Sequence, residues 1–445
     1  MPSAQFSDFL KKTLSRNEID PLHQKIFNEN LTAAAKKLPN VLDGEDYVSI
    51  NTVREDDETQ LSTITLVATD RPFLIDSFSA IVHAAGLRMK NLFHQSFFMN
   101  KEGKNKLSFA KSAKSSGIEC DIIYAELSTV CLPKQEKSLK KTLETMLLDV
   151  RLATKDWQPM LEKLRAIKDE IRHIPASQAQ YPLHEYEDFL QYLHDDSFTF
   201  LGYRQYAVEH KGKETKLTLK RDKGLGILSA DRKPAFLGND ADMFSKDMRP
   251  FLKRTDLITI SKIQKRSLVH RSVPIDVIAI KRTDHKGVVK KIDLFLGLFT
   301  SITYSRSIFT IPLVSNKINN IINSTNFKER THNYRALVHI LEKYPRDEVF
   351  QMDEETLAAF AQKLLALQEC QRIAMFPRID VFERYISALV YVPRSVYDTR
   401  LRIIFSKILE ESFDGTTSAF YTNMDDSMLV RVLFTITSDK GVDRK

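Results

Sequence analysis

Asp70, Arg71 and Asp76 are the strongest chemically capable cluster in this chain, because all three gather around one turn. The β-branched run Thr65-Leu-Val-Ala-Thr69 gives way at Asp70-Arg71-Pro72 to Phe73, Leu74, Phe78 and Ile81 at helical spacing. Amides at a helix start, together with an Arg, can hold a carboxylate. On that reading Asp70, Arg71, Phe73 and Asp76 form an effector site, and Arg71→Ala weakens the ligand at little cost in stability. The same residues also make a purely structural turn. Asp70 can cap the helix, Pro72 suits its first turn, Asp76 favours the macrodipole, and Arg71 pairs with Asp70 or Asp76. Both readings stay open on the sequence.

Other candidates are weaker. His184 and His194 lie ten residues apart beside Asp195 and Asp196 and read as surface histidines, since a metal site needs closer convergence. His83 and His94 bracket a helix and a strand and could meet in space, without implying catalysis. No Ser-His-Asp or Cys-His arrangement stands out, so no catalytic residue and no metal site are assigned. Cys120, Cys131 and Cys370 lie far apart and read as reduced thiols of a cytoplasmic protein.

Thirteen glycines in 445 residues fall well below ordinary usage of about 7%. Lys223-Gly-Leu-Gly-Ile-Leu228 has no third glycine at the spacing a dinucleotide site requires, so no cofactor is expected in this chain. The net charge of +8 comes from 66 basic and 58 acidic residues, a mixed surface. Its densest basic stretch, Lys101–Lys106 with Lys111 and Lys114, reads as a solvated hairpin loop rather than a nucleic-acid site. With neither a run of about 18 apolar residues nor a secretory signal, no membrane partner is expected.

The elements that must position these residues follow from periodicity. Helices are expected within 6–38, strands at Tyr47–Val53 and Leu61–Thr69, and a helix at Phe73–Ala85 stopped by Gly86. Strands Leu87–Met99 and Glu119–Leu132 come next, then a helix from Lys134 and a helical stretch to Ile174. This order, β-α-β-β-α, is ferredoxin-like. After the Pro175–Pro182 linker come the helix Leu183–His194 and the aromatic strand Phe198–Val208. There Phe198, Phe200 and Tyr206 read as packing residues, and Tyr203 and Arg204 face opposite sides. Further strands are expected at Thr215–Arg221, Leu268–Val273, Ile275–Arg282 and Val288–Phe299, then a helix at Leu313–Asn323. Residues 333–372 are helical, broken at Pro345 and restarted at Asp353.

The last unit reads as strand Ile379–Val392, helix Val396–Ser412, and strands Thr416–Asn423 and Met428–Thr437. It repeats the order of residues 61–132 and stops before a second helix, which implies a longer parent. Ile386, Ala388, Val390 and Val392 alternate with Tyr385, Ser387, Leu389 and Tyr391, so both faces of this strand are expected to be covered. The fold class is α+β: tandem ferredoxin-like domains, a strand-rich middle domain and a helical connector. The expected bounds are 1–175, 176–330, 331–372 and 373–445.

Five motifs in order carry a resemblance: Asp70–Ser77, Phe198–Arg204, Gly224–Leu228, Leu341-Glu-Lys-Tyr-Pro-Arg-Asp-Glu348 and Ser387–Arg394. Together they resemble the N-terminal, ACT-like and PAS-like region of large bacterial NAD-specific glutamate dehydrogenases. Strand, Asp-x-Pro turn and helix is also how ACT domains begin, although those that bind amino acids usually carry Gly where Phe73 stands. The resemblance implies a parent that oxidatively deaminates glutamate with NAD through a core C-terminal to this chain. It also implies a non-catalytic regulatory and homo-oligomerising role, with a small amino-acid effector. A free-standing amino-acid sensor is the first alternative and a nucleic-acid-binding protein the second.

Overall fold

The computed structural model describes residues 21–54, 60–101, 107–109, 117–211, 214–219, 224–233, 236, 249–369, 372–425 and 427–438. The lysine-rich stretch, apart from Lys101, and Cys370 lie outside them, as does the start of the N-terminal helical region. The chain is α+β and forms two compact units. One comprises residues 1–155 with 266–273, and the other 156–265 with 274–445.

The first unit runs through α1 (Pro21–Ala35), α2 (Leu38–Leu42), β1 (Tyr47–Arg54), β2 (Gln60–Thr69), α3 (Leu74–Ala84), β3 (Met89–Lys101), β4 (Leu107–Phe109), β5 (Ile118–Leu127) and α4 (Pro133–Lys155). The sheet order is β1-β2-β5-β3-β4. Strand alternation divides its residues between two faces. Val67, Phe97, Ile122 and Tyr124 pack on Phe27 and Leu31 of α1. Ile64, Leu66 and Ile123, on the other face, are fully buried, as are Phe78 of α3 and Leu143 of α4. Gly86 has a φ of 75° and stops α3 as its type allows.

The second unit contains α5 (Trp157–Ile171), α6 (Leu183–Tyr192), β6 (Phe198–Lys211), β7 (Glu214–Leu219), β8 (Leu225–Gly226), α7 (Arg249–Lys253), β9 (Ile258–Arg266), β10 (Pro274–Thr283) and β11 (Val289–Phe299). Its sheet order is β7-β6-β11-β10-β9, with β8 on β6. Phe198, Phe200, Phe295 and Phe299 form a chain of edge-to-face rings, as core packing requires. Helices α8 (Ser301–Ser305), α9 (Val314–Asn323), α10 (His332–Lys343), α11 (Arg346–Gln351) and α12 (Glu354–Glu369) follow. Phe350 of α11 stacks on Phe299 at 4.5 Å.

The same unit ends in β12 (Ala374–Ile379), β13 (Tyr385–Pro393), α13 (Thr399–Ser412), β14 (Thr416–Asn423) and β15 (Leu429–Thr437), with sheet order β12-β13-β15-β14. Strand order therefore repeats. In the first and last sheets, strand–helix–strand–strand (β2-α3-β3-β5 and β13-α13-β14-β15) takes a preceding antiparallel strand on its outer edge, β1 or β12. Both faces of the last sheet are covered. Ile386, Val390, Val432 and Phe434 pack with Leu401, Phe405 and Leu409 of α13. Phe376, Leu389 and Tyr391 join the core that contains Leu337, Leu341 and Phe350 of α10 and α11.

Three sequence readings are corrected. Leu268–Val273 is not a strand. Its backbone folds on itself, with Ser267 N–H on Val273 O at 2.9 Å, and the strand is Ile258–Arg266. That strand was hidden because Thr259 and Ser261 are among its inward residues, which weakens the apolar alternation. Ile379–Val392 is not one strand: β12 ends at Ile379, the chain turns at Asp380, whose carboxylate accepts from Phe382 N–H and the Arg384 guanidinium, and β13 starts at Tyr385. Asp149–Ile174 is helical as expected, in two helices. It breaks at Asp156, which accepts the Gly226 N–H at 2.8 Å. Asp70 does not cap α3, because the cap position is Phe73, without a side-chain cap.

Candidate functional site

The turn between β2 and α3 is held from three sides. Arg71 places Nη1 on both carboxylate oxygens of Asp46, at 3.0 Å each, and Nη2 on Thr69 Oγ1 at 2.6 Å. Its partner is thus neither Asp70 nor Asp76, and both side chains of the pair are nearly dry. Burial raises the Asp46 pKa, while the Arg71 charge opposes that rise. Sequence spacing could not show this partner, since Asp46 precedes β1.

Phe73 carries a φ of 71°, the left-handed conformation that favours glycine. The backbone of the turn therefore keeps the geometry associated with Gly, while the side chain fills the space beside it. The Phe73 ring lies against the His270 ring at 5.0 Å. His270 N–H donates to Ser77 Oγ at 2.8 Å, Ser77 Oγ donates to Phe73 O at 2.5 Å, and His270 Nδ1 lies 3.3 Å from Asp76 Oδ2. Segment 266–273 thus occupies the start of α3. His270 was missed because nothing in the sequence links it to a helix almost two hundred residues earlier.

Asp70 faces a different set. Asp121, in register with Ser96 of β3, lies 3.2 Å from His94 Nε2. Burial pushes the Asp121 carboxyl up to about 6, with Ser96 lowering it, Asp70 raising it and His94 lowering it. Burial also pushes the neighbouring Cys120 thiol up to about 12, so this buried group is unreactive at neutral pH. His94 thus meets Asp121, while His83 lies exposed on α3.

The remaining motifs have structural partners. Arg204 Nη2 donates to Leu228 O at 2.8 Å, and Tyr203 OH to Asp293 at 2.7 Å. Gly226, at φ 59°, sits where an added Cβ would lie 2.1 Å from Leu201 O. The glycine pair thus serves close backbone approach rather than a phosphate cradle. His194 bonds to Arg165 and Asp195, and His184 is exposed. Among the described residues no group of three His, Cys, Asp or Glu is placed to hold a metal, and no helix is long and apolar enough to cross a membrane.

The Leu341–Glu348 motif borders open space. A groove of about 510 Å³ runs between the end of α10, the start of α11 and strands β13–β15. Glu342, Lys343, Arg346, Leu389, Tyr421 and Arg431 are among its lining residues.

Two sheets of one strand order, separated by a third sheet and a run of helices, define an α+β protein built from ACT-type segments. Family descriptions agree segment by segment: "Glutamate dehydrogenase, ACT1 domain" matches residues 21–143, "Glutamate dehydrogenase, helical motif 1" residues 311–370, and "Glutamate dehydrogenase, ACT2 domain" residues 374–445. The chain belongs to the NAD-specific glutamate dehydrogenase family, in its ACT-bearing N-terminal region. It is 30% identical over 84% of its length to the NAD-specific glutamate dehydrogenase of Halomonas elongata, and 28% identical over 85% to that of Pseudomonas aeruginosa. To that of Mycobacterium tuberculosis it is 22% identical over 86%. It spans about a quarter of the length of these relatives, 24%, 23% and 23% respectively.

Proposed function

We propose that this chain is the non-catalytic regulatory and assembly region of an enzyme that oxidises glutamate to 2-oxoglutarate and ammonia with NAD. The observation that carries this reading is the coincidence of matched segments with physical elements. The two ACT segments are the two sheets of repeated strand order, a tandem of ferredoxin-like domains, and the helical motif packs against the second of them. The regulatory role fits the buried joint between that motif and its sheet, through which a ligand-induced shift in one can reach the other. Self-association and a cytoplasmic setting belong to the same proposal. An effector at Asp70, Arg71, Phe73 and Asp76 would have to draw Arg71 off Asp46 and displace His270. That requirement favours a site elsewhere.

The test is glutamate-dependent NAD reduction by the full-length protein and by this chain alone, with and without aspartate, leucine or arginine as added effectors. The full-length protein is expected to reduce NAD at an effector-sensitive rate, and the chain alone to be inactive. A full-length rate indifferent to every effector and to substitutions in this chain would overturn the regulatory reading. Nicotinamide reduction by the chain alone, lost on mutating one of its residues, would overturn the non-catalytic one.

A further inference from the structure

The end of α3 and the start of α4 leave an apolar groove between them. Its volume is about 610 Å³, and Leu268 and Ser272 of segment 266–273 complete its lining. Ile81 of α3 and Leu139 of α4 form a buried floor, while Ala84, Ser138 and Thr142 keep the walls low. Leu132, just ahead of α4, stands 63% exposed at the edge of the groove. From Lys134 to Thr142 the α4 wall runs for about 12 Å at the rise of an α-helix.

The polar groups of this lining are mostly spent. Gln135 Nε2 donates across to Ala85 O at 3.0 Å and ties the two helices together, and Thr142 Oγ1 donates to Ser138 O at 2.9 Å. What remains is Lys134, with the Ser138 and Ser272 hydroxyls. Lys134 is exposed, is the one charged side chain of the lining, and has no carboxylate partner among the described residues. Lys137 and Lys141 follow it at helical spacing and are exposed as well. Cations along one wall of an apolar groove fit an anion with an alkyl tail. A neutral apolar molecule leaves the ammonium unused, and an alkylamine brings a like charge to it. The volume suits a small molecule.

We infer that this groove binds a free medium-chain aliphatic carboxylate, its alkyl tail over Ile81 and Leu139 and its carboxylate at Lys134. The inference goes beyond the regulatory reading and does not depend on it. Burial of the tail supplies most of the affinity. The exposed ammonium sets the orientation and the sign of the ligand charge, since an ion pair in water contributes little. Leu268 joins the bound tail to segment 266–273, whose His270 N–H donates to Ser77 at the start of α3.

The experiment is calorimetric titration of the chain with octanoate, decanoate and dodecanoate below their micellar concentrations, with decylammonium as the charge-reversed control. One saturable site per chain is expected, with affinity rising about fourfold per methylene until the groove is full. Decylammonium should bind severalfold more weakly than decanoate. Ser138→Phe fills the groove from an exposed position and should lower decanoate affinity tenfold or more. Lys134→Glu, also at an exposed position, should weaken decanoate and strengthen decylammonium, and serves if Ser138→Phe fails to fold. Failure of all three acids to bind, or affinities unchanged by both substitutions, would overturn the site. Sedimentation of the chain with phosphatidylglycerol vesicles, without binding of free decanoate, would make the groove a membrane contact and overturn the free ligand.

Discussion

Arg378 lays Nε and Nη2 on the two carboxylate oxygens of Glu348, at 2.7 and 2.9 Å, and so ties the first strand of the last sheet to α11. Ser387 Oγ adds a third bond to Glu348 at 2.8 Å, and Gln351 receives a second from Arg378 Nη2 at 3.1 Å. Both charged side chains are more than nine-tenths buried. Such a pair stabilises little relative to apolar replacements, but half of it alone is costly. Glu348→Ala is therefore expected to cost about 3–5 kcal/mol in urea unfolding. The double change Arg378→Met with Glu348→Leu should recover most of that loss. A double variant as unstable as Glu348→Ala would show that the surrounding polar network, rather than the isolated charge, sets the cost.

Arg71 should behave as a structural residue. The sequence alone permits Arg71→Ala at little cost, but the guanidinium holds Asp46 and Thr69 in a nearly dry setting. Its loss leaves the Asp46 carboxylate buried and unpaired, and about 2–3 kcal/mol is expected. Asp46→Ala should cost a similar amount, and the double variant less than the sum. Strict additivity in that cycle would mean that the two residues act independently.

At Phe73, strain and packing can be separated. The left-handed φ of 71° disfavours any Cβ, whereas the ring packs on His270. Phe73→Ala loses the packing and keeps the strain; Phe73→Gly loses both. The glycine variant should therefore be the more stable of the two by about 1 kcal/mol in thermal or urea unfolding. Equal stability would indicate that the turn relaxes once the ring is gone.

Legibility followed the range of the forces involved. Gly86, Pro133, the Pro345 break and the Asp353 and Asp398 caps act within one turn. The sequence accordingly placed α13, β14 and β15 to within a few residues, while β12 was missed and Asp398 was not singled out. The strand Ile258–Arg266 failed the apolar test because buried Ser261 donates to Asp380, a partner more than a hundred residues away. The site at Asp70–Asp76 was legible as a turn but not as an occupied one, because Asp46 and His270 come from distant segments. The Leu341–Glu348 motif was visible as a pattern. Its groove was not, since three of its walls come from β13, β14 and β15.

A last prediction concerns acid titration around Asp121. Burial pushes this carboxyl up to about 6, from an ordinary value of 3.8. The charged groups that act on it are Asp70 and His94, with Ser96 as a hydrogen-bond partner. Between those two pH values the folded chain keeps a proton that the unfolded chain has released. The contribution of Asp121 is therefore fully present below about pH 4 and is lost as pH rises through about 6. Other carboxyls, Asp353 and Asp380 among them, shift downward and favour the folded state as pH rises, so the total curve hides this component. Comparison with Asp121→Asn isolates it. The amide cannot ionise, yet it can donate to Asp70 as the protonated acid does. The variant should gain on the parent by about 1–2 kcal/mol between pH 4.5 and pH 7.5, read from urea midpoints at both values. A stability difference that is the same at both pH values would mean that Asp121 titrates as an ordinary carboxylate and that His94 fully compensates its burial.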